Sequence, residues 1–300
     1  MIKVKKNILI QEINISLELT KNVNTHHIVK YVHSNKCYNA NDLFSRCPNY
    51  ITYLNNDNNN KLCNILYRNH PKNKIADEFI SYEMEYCNYS LMDYLEDLCY
   101  LDILQITLCL DILLFQLIYT LKKINEKYPN FCHNDLFIRN ILGVREHNTN
   151  NYYQYELMGK KFFIPIKFFN PKINDFGQTT LNEEYKYFEL FDNAISKDIY
   201  NIIYDIYNGA CLGSKSLTKL FNDNNMQYKI PKLKKYFDNF FNTDRIDEMI
   251  KKNHDIHWNW DNILDPNFSK YIEWSNNIDN LIENYFNPRF NEINKVIMIN

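Results

Sequence analysis

Glycine is the scarcest feature of this chain: there are five in 300 residues, and the first is Gly143. That excludes, from everything before Gly143, a glycine-rich loop of the kind that wraps phosphate groups. Such loops need bare backbone amides and positive φ angles. The eight cysteines lie at 37, 47, 63, 87, 99, 109, 132 and 211 with no C-x-x-C pair. Their spacing offers neither a zinc framework nor a disulfide scaffold, so reduced thiols inside a cell are expected. Excess charge is also missing. A formal net charge of −2 leaves no broad basic field for nucleic acid or an anionic membrane. The opening "MIKVKKNILIQE" lacks the apolar core of a secretory signal. One long apolar run exists, "LDILQITLCLDILLFQLIYTL" at 101–121, but Asp102, Gln105, Asp111 and Gln116 interrupt it. An acid in mid-span is costly in lipid, so the run reads as a buried helix and no membrane span is expected.

What is present points to a globular chain. Hydrophobic residues make up 45% and aromatics 15%, enough for one large domain or two lobes around a substantial core. Residues 8–23 mix two periodicities: Leu9, Ile13 and Leu17 fit a helix face, while Ile13, Ile15, Leu17 and Leu19 alternate like a strand. Runs of β character follow at 27–32, 50–54, 62–67 and 78–86, with the polar run "NNDNNN" (55–60) between two of them. From residue 90 the spacing turns helical through "LMDYLEDL" and 101–125. The segment 152–169 then reads as a β-hairpin turning near Met158-Gly159-Lys160, and helix returns at "KDIYNIIYDIY" (197–207). In "HDIHWNW" (254–260), His254, Asp255 and His257 read as surface packing rather than as metal ligands.

The chemistry concentrates in "FCHNDLFIRNIL" (131–142) and "KINDFGQ" (172–178). The first contains H-x-D-x-x-x-x-N as His133, Asp135 and Asn140, and the second contains Asp175-Phe176-Gly177. Phosphoryl transfer needs a carboxylate to position and deprotonate a hydroxyl, and oxygen ligands to hold magnesium on the phosphates. In these two motifs, in this order, the chain resembles the protein kinase superfamily. The resemblance implies Asp135 as catalytic base, Asn140 and Asp175 as magnesium ligands, and His133 packed on Phe176 as a structural spine beside Gly177. "SYEMEYCNYSLMDYL" is similar to the fifth strand, hinge and following helix, which implies Met84 as gatekeeper and Glu85 to Cys87 as backbone contacts for adenine. "SKDIYNIIYDIY" is similar to the helix whose buried Asp198 braces the catalytic loop. "EINISLEL…HIVKYV" resembles the regulatory helix and the strand after it, which nominates Glu12 as the ion-pair carboxylate. The hairpin before the D-F-G motif resembles that of haspin and of kinases of nucleocytoplasmic large DNA viruses. With the Asn-, Lys-, Ile- and Tyr-rich composition of an AT-rich genome, a viral origin is expected.

The implied fold is α+β and bilobal. A reduced β-rich N-lobe over 1–86 would lack the glycine-rich loop, and a mainly helical C-lobe over 87–300 would carry both motifs. The departures from the family pattern are specific. Lys3 and Lys5 lie close before Glu12, too close to sit on a separate strand and pair with it; Glu18 is the alternative partner. Asn134 replaces the Arg of H-R-D, which implies loss of control by activation-segment phosphorylation. Phe137 stands where a phosphoryl-contacting Lys is usual, and Arg139 is either a substitute charge or a solvent-facing side chain. The 22 residues between Asp175 and Asp198 contain no A-P-E motif. Three functions follow from the resemblance. The first is an ATP- and Mg2+-dependent kinase acting on protein Ser/Thr, the second a pseudokinase that binds a protein partner or partner kinase, and the third a small-molecule phosphotransferase like aminoglycoside or choline kinases. The expected location is intracellular, in a host cell's cytoplasm or packaged in a virion; oligomeric state is left open.

Overall fold

The computed structural model describes residues 2–37, 79–145, 152–165, 169–181, 194–207, 228–240, 242–244, 247 and 278–290. The strands expected at 50–54 and 62–67, the polar run 55–60, the segment 182–193 and the stretch 254–260 lie outside these residues. Two compact units emerge: residues 30–85, and residues 1–29 together with 86–300.

In the smaller unit, β1 (Tyr31–Cys37) pairs antiparallel with β2 (Phe79–Met84), Tyr31 opposite Met84 and Cys37 opposite Phe79. The Glu85 amide extends the pairing by donating to the Lys30 carbonyl at 2.7 Å.

The larger unit begins with α1 (Ile2–Asn22), so the ambiguous periodicity of its sequence resolves to a helix. Ile15, Leu19 and Val23 fall four residues apart and are buried, whereas Leu17 is half-buried. After β3 (Tyr89–Ser90) comes α2 (Leu91–Leu98), started by a capping box in which Ser90 and Asp93 satisfy each other's amides. A second capping box, Asp102 with Gln105, starts α3 (Ile103–Lys127). Helix α3 is long and apolar enough to cross a membrane by composition, yet most of that apolar stretch is buried in the protein. Its mid-helix acid explains the interruption seen in the sequence. Asp111 accepts from Tyr236 Oη at 2.9 Å and Tyr285 Oη at 2.8 Å, and Arg289 Nε lies 3.4 Å from its other oxygen. These contacts tie α3 to α5 (Ile230–Phe237) and α6 (Ile278–Leu281, running on through a π turn to Phe286).

A three-stranded antiparallel sheet, ordered β3, β4 (Ile141–Val144) and β7 (Asn170–Ile173), sits beside α2. Gly143 is dictated by close approach. A Cβ there would meet Phe169 Cε2 at 2.2 Å and the Asn170 carbonyl at 2.7 Å. Phe169 in turn stacks on Tyr94 of α2, with centroids 4.7 Å apart. The hairpin β5 (Tyr152–Leu157) and β6 (Lys160–Pro165) turns at Met158-Gly159, both at positive φ (52° and 72°), where the sequence placed it. A lone two-stranded hairpin is marginal in water. This one is held by its buried, alternating inner face, Tyr155, Leu157, Phe162 and Ile164, of which Tyr155 and Phe162 pack against Phe115 of α3. Helix α4 (Ala194–Tyr207) completes the part of the fold that matters for the site.

A buried polar chain joins the hairpin to the segment after α1. Gln116 Nε2 donates to Tyr155 Oη at 2.9 Å, and Tyr155 Oη donates to His27 Nε2 at 2.7 Å. His27 Nδ1 then donates to the Pro171 carbonyl at 2.8 Å. Burial pushes the His27 imidazole down to about 3, so it is neutral and both ring nitrogens have fixed roles. Unfolded, the same ring titrates near 6.5. Its contribution is therefore complete above about pH 6.5 and is lost as pH falls toward 3. Between pH 6.5 and 5 His27 should remove roughly 2 kcal/mol of stability, and urea unfolding of His27→Gln should show a correspondingly shallower decline. An unchanged pH slope would contradict this role. Gly143→Ala should cost about 1–3 kcal/mol by overpacking against Phe169, measured in the same way.

Candidate active site

Two strands of the sheet bring the motifs together. Strand β4 leaves the H-x-D-x-x-x-x-N loop directly, and β7 runs directly into D-F-G. Their register sets Ile141 opposite Ile173 and so sets Asn140 beside Asn174, whose amide donates to the Asn140 carbonyl at 2.9 Å. A second tie lies at the far side of the loop, where Cys132 and Thr180 exchange both backbone hydrogen bonds at 3.0 and 2.9 Å. Segments 132–141 and 173–180 are thus fastened at both ends. Between the ties, one carries His133, Asp135 and Asn140, and the other carries Asp175 and Phe176.

Helix α4 holds this frame from below. Asp198 accepts from the His133 amide at 2.6 Å and the Asn134 amide at 3.2 Å. It is fully buried, and burial raises its carboxyl to about 7 against the pull of those amides and of Lys197. Two helical turns on, Asp205 accepts from the Ile138 amide at 2.7 Å. Burial raises its carboxyl too, opposed by the Ile138 amide and the Arg139 charge. Both acids catch backbone donors of an irregular loop that has no ladder to satisfy them. Asp205 was not singled out from the sequence. Its spacing of seven residues from Asp198, on the same helix face, is the signal that could have found it.

His133 packs its ring 5.2 Å from Phe176, and its Nε2 donates to the Asn174 carbonyl at 3.0 Å. Burial lowers the imidazole to about 4, so the ring is neutral. Phe176 is fully buried at the start of a 3-10 turn, Phe176–Gln178, that also holds Gly177 and packs against α1. Gln11 of α1 reaches the Thr179 carbonyl at 3.2 Å. The pairing of Ile28 and Val29 with Ile173 fixes the chain after α1 on the same strand that feeds Asp175.

Asp135 is held on both oxygens. Asn140 Nδ2 donates to its Oδ2 at 2.9 Å and to its backbone carbonyl at 2.6 Å, while Arg139 pairs with Oδ1 at 2.5 Å. The Asn140 amide is therefore oriented with its nitrogen toward Asp135, which turns its carbonyl oxygen away as a potential ligand. Asp175 adopts a left-handed conformation, φ 61° and ψ 71°, and its Oδ1 accepts from the Gly177 amide at 3.4 Å. Aspartate tolerates this conformation because its short side chain can hydrogen-bond the local backbone. Asn134 is also left-handed (φ 64°), a conformation asparagine tolerates. Where H-R-D kinases have Arg, its Nδ2 donates to the Gln178 carbonyl at 3.0 Å and its Oδ1 accepts from Lys197 Nζ at 3.2 Å.

The other expected site residues lie outside the two motifs. Glu12 lies half-buried on α1, the helix packed against the D-F-G turn; its carbonyl accepts from Ser16. Lys3 and Lys5 belong to the same helix, so neither is carried by a strand facing Glu12. Glu18, the alternative ion-pair acid, accepts from Tyr128 Oη at 2.8 Å. Met84 ends β2, Glu85 follows it in the smaller unit, and Cys87 lies in the larger, in no disulfide.

No protein-family model matches the chain. Two proteins of Acanthamoeba polyphaga mimivirus are similar to it. The one named "Putative serine/threonine-protein kinase R301" is 31% identical over 226 residues, covering 61% of this chain and 54% of that protein. The one named "Putative serine/threonine-protein kinase R400" is 36% identical over 75 residues, covering 24% and 16%. The chain thus spans about half the length of the first and less of the second. Replacing Asp198 by Ala should cost about 2–4 kcal/mol in urea unfolding, because it strands the buried His133 and Asn134 amides; a loss below 1 kcal/mol would show that the loop is held otherwise. With its motifs fastened in one frame and these similarities, the chain is kinase-like and related to kinases of nucleocytoplasmic large DNA viruses.

Proposed function

We propose that the chain is an ATP- and Mg2+-dependent phosphotransferase that moves the γ-phosphate to a Ser or Thr hydroxyl of a protein. The observation that carries this reading is the doubly fastened frame. It presents a carboxylate held on both oxygens, Asp135, beside an asparagine, Asn140, whose side-chain nitrogen is engaged by that carboxylate and whose side-chain oxygen is turned away from it. In this reading Asp135 orients the acceptor hydroxyl and receives its proton. Asn140 and Asp175 fit a magnesium ion, which takes one or two protein oxygens and completes its shell with phosphates. When bound, that ion would neutralise the charge on the phosphates. His133 and Phe176 keep the two loops in contact and, being buried and apolar or neutral, make no demand on the substrate. Asp198 and Asp205 keep the loop rigid. The backbone from Glu85 to Cys87 is assigned to adenine, with Met84 as gatekeeper, and Glu12 to the ion pair of the regulatory helix; these assignments rest on the resemblance.

A second reading has one specific observation behind it. Lys3 and Lys5 share a helix with Glu12, which leaves the phosphate-facing lysine unassigned. A pseudokinase that engages a protein partner would not need it.

Thermal shift of the purified protein separates the two. The phosphotransferase reading expects a rise in Tm with millimolar ATP that depends on Mg2+ and is lost in Asp175→Asn. Absence of any shift would turn the assignment to the partner-binding module.

A further inference from the structure

A groove opens between the end of α1, the C-terminal half of α3 and the turn of the β5–β6 hairpin. It is a cavity of about 690 Å3, open to solvent and contained within the larger unit. We propose that this groove docks a short extended segment of a protein partner, one that carries a basic and an acidic side chain on either side of an apolar one. The inference goes beyond the phosphotransferase reading and holds for a kinase or a partner-binding module alike. Val23, Tyr119 and Met158 give the groove an apolar middle. Its charged lining comes from two walls: α3 contributes Lys123, Glu126 and Lys127, and the hairpin contributes Glu156.

The pairing of those charges decides what fits. Lys123 donates to both oxygens of Glu126, at 3.0 and 2.9 Å, and its Nζ lies 5.8 Å from the centre of the Tyr119 ring. That pair satisfies itself over the aromatic floor. Among the described residues, neither Lys127 nor Glu156 is in an ion pair, although Lys161 stands opposite Glu156 in the hairpin register. The Glu156 charge bears on the floor of the groove. Burial raises the Tyr119 phenol, and Glu126 and Glu156 raise it further against the pull of Lys123. One wall thus offers an unmatched cation and the other an unmatched anion. A ligand of one sign would satisfy one wall and be repelled by the other, whereas a segment with both signs meets both. Met158, 41% exposed, suits the apolar centre, because an unbranched thioether adapts to many side chains. Small-molecule pockets enclose most of their ligand, whereas a groove open along its surface suits a chain that runs on past it. The floor is also contiguous with the active-site frame. Tyr119 packs edge-on against Tyr155 at 4.8 Å, and Tyr155 leads through His27 to the Pro171 carbonyl of β7, the strand that runs into Asp175.

The test is fluorescence anisotropy with labelled, end-blocked pentapeptides. The mixed pair is Arg-Ala-Leu-Ala-Glu and its reverse, and the single-sign pair is Arg-Ala-Leu-Ala-Arg and Glu-Ala-Leu-Ala-Glu. Wild type should bind the better mixed peptide about tenfold more tightly than either single-sign peptide, and less tightly as salt rises. Lys127→Glu should move the preference to the peptide with two arginines, and Glu156→Lys should move it to the peptide with two glutamates. Both side chains are exposed, so the variants should fold, which their Tm checks. Equal affinity for all the peptides, no binding of any at millimolar concentration, or a preference that neither variant moves would overturn the proposal. So would displacement by free arginine plus glutamate as effective as by unlabelled peptide, which would make the groove a small-ligand site. A wild-type dimer in sedimentation that Lys127→Glu dissociates would overturn it too, by giving the groove to a second copy of the chain.

Discussion

The buried carboxylate of Asp198 is the constraint on which the rest of the site depends. The segment 132–140 is irregular, and a buried irregular backbone must find partners for each amide or lose stability for every one left unmet. Asp198 takes the amides of His133 and Asn134, and Asp205, two turns along α4, takes that of Ile138. Helix α4 thus converts a flexible stretch into a fixed one. Its own position is secured by burial of Ile195, Ile199, Ile202, Ile203 and Ile206.

On this base the strands do the rest. The register of β4 against β7 decides which residue of one motif meets which residue of the other. A shift by one residue would exchange the two faces of the strands and separate Asn140 from Asn174. Gly143 keeps the sheet close to Phe169, and Phe169 on Tyr94 fixes the sheet to α2. The same β7 strand receives Ile28 and Val29 from the chain after α1. Helix α1, the D-F-G turn and the H-x-D-x-x-x-x-N loop therefore form one packed assembly within the larger unit.

The two motifs, the turn at Met158-Gly159 and the buried nature of α3 were legible in the sequence, because each leaves a local mark. A motif has fixed spacing, a turn needs glycine, and a core helix has apolar residues on all sides. Other parts were not legible. Residues 8–23 carried two periods at once, and only packing of Ile15, Leu19 and Val23 selects the helix. The partners of His27 lie in Tyr155 and Pro171, more than a hundred positions away, and no local pattern announces them. Arg139 could be read as solvated or functional, because an ion pair to Asp135 and a seat on Phe137 are both products of the loop's three-dimensional path. Asp205 was hidden for the opposite reason: its periodic spacing was visible, but its backbone partner was not.

The central claim is that this frame performs phosphoryl transfer with Asp135 as base. The most direct measurement is transfer of labelled γ-phosphate from Mg2+-ATP to Ser/Thr-containing protein acceptors by wild type and by Asp135→Asn, with folding of both checked by their Tm. The account predicts label on serine or threonine with wild type and a rate at least ~10²-fold lower with the variant. Equal transfer by the two proteins, or label that requires no Mg2+, would contradict it.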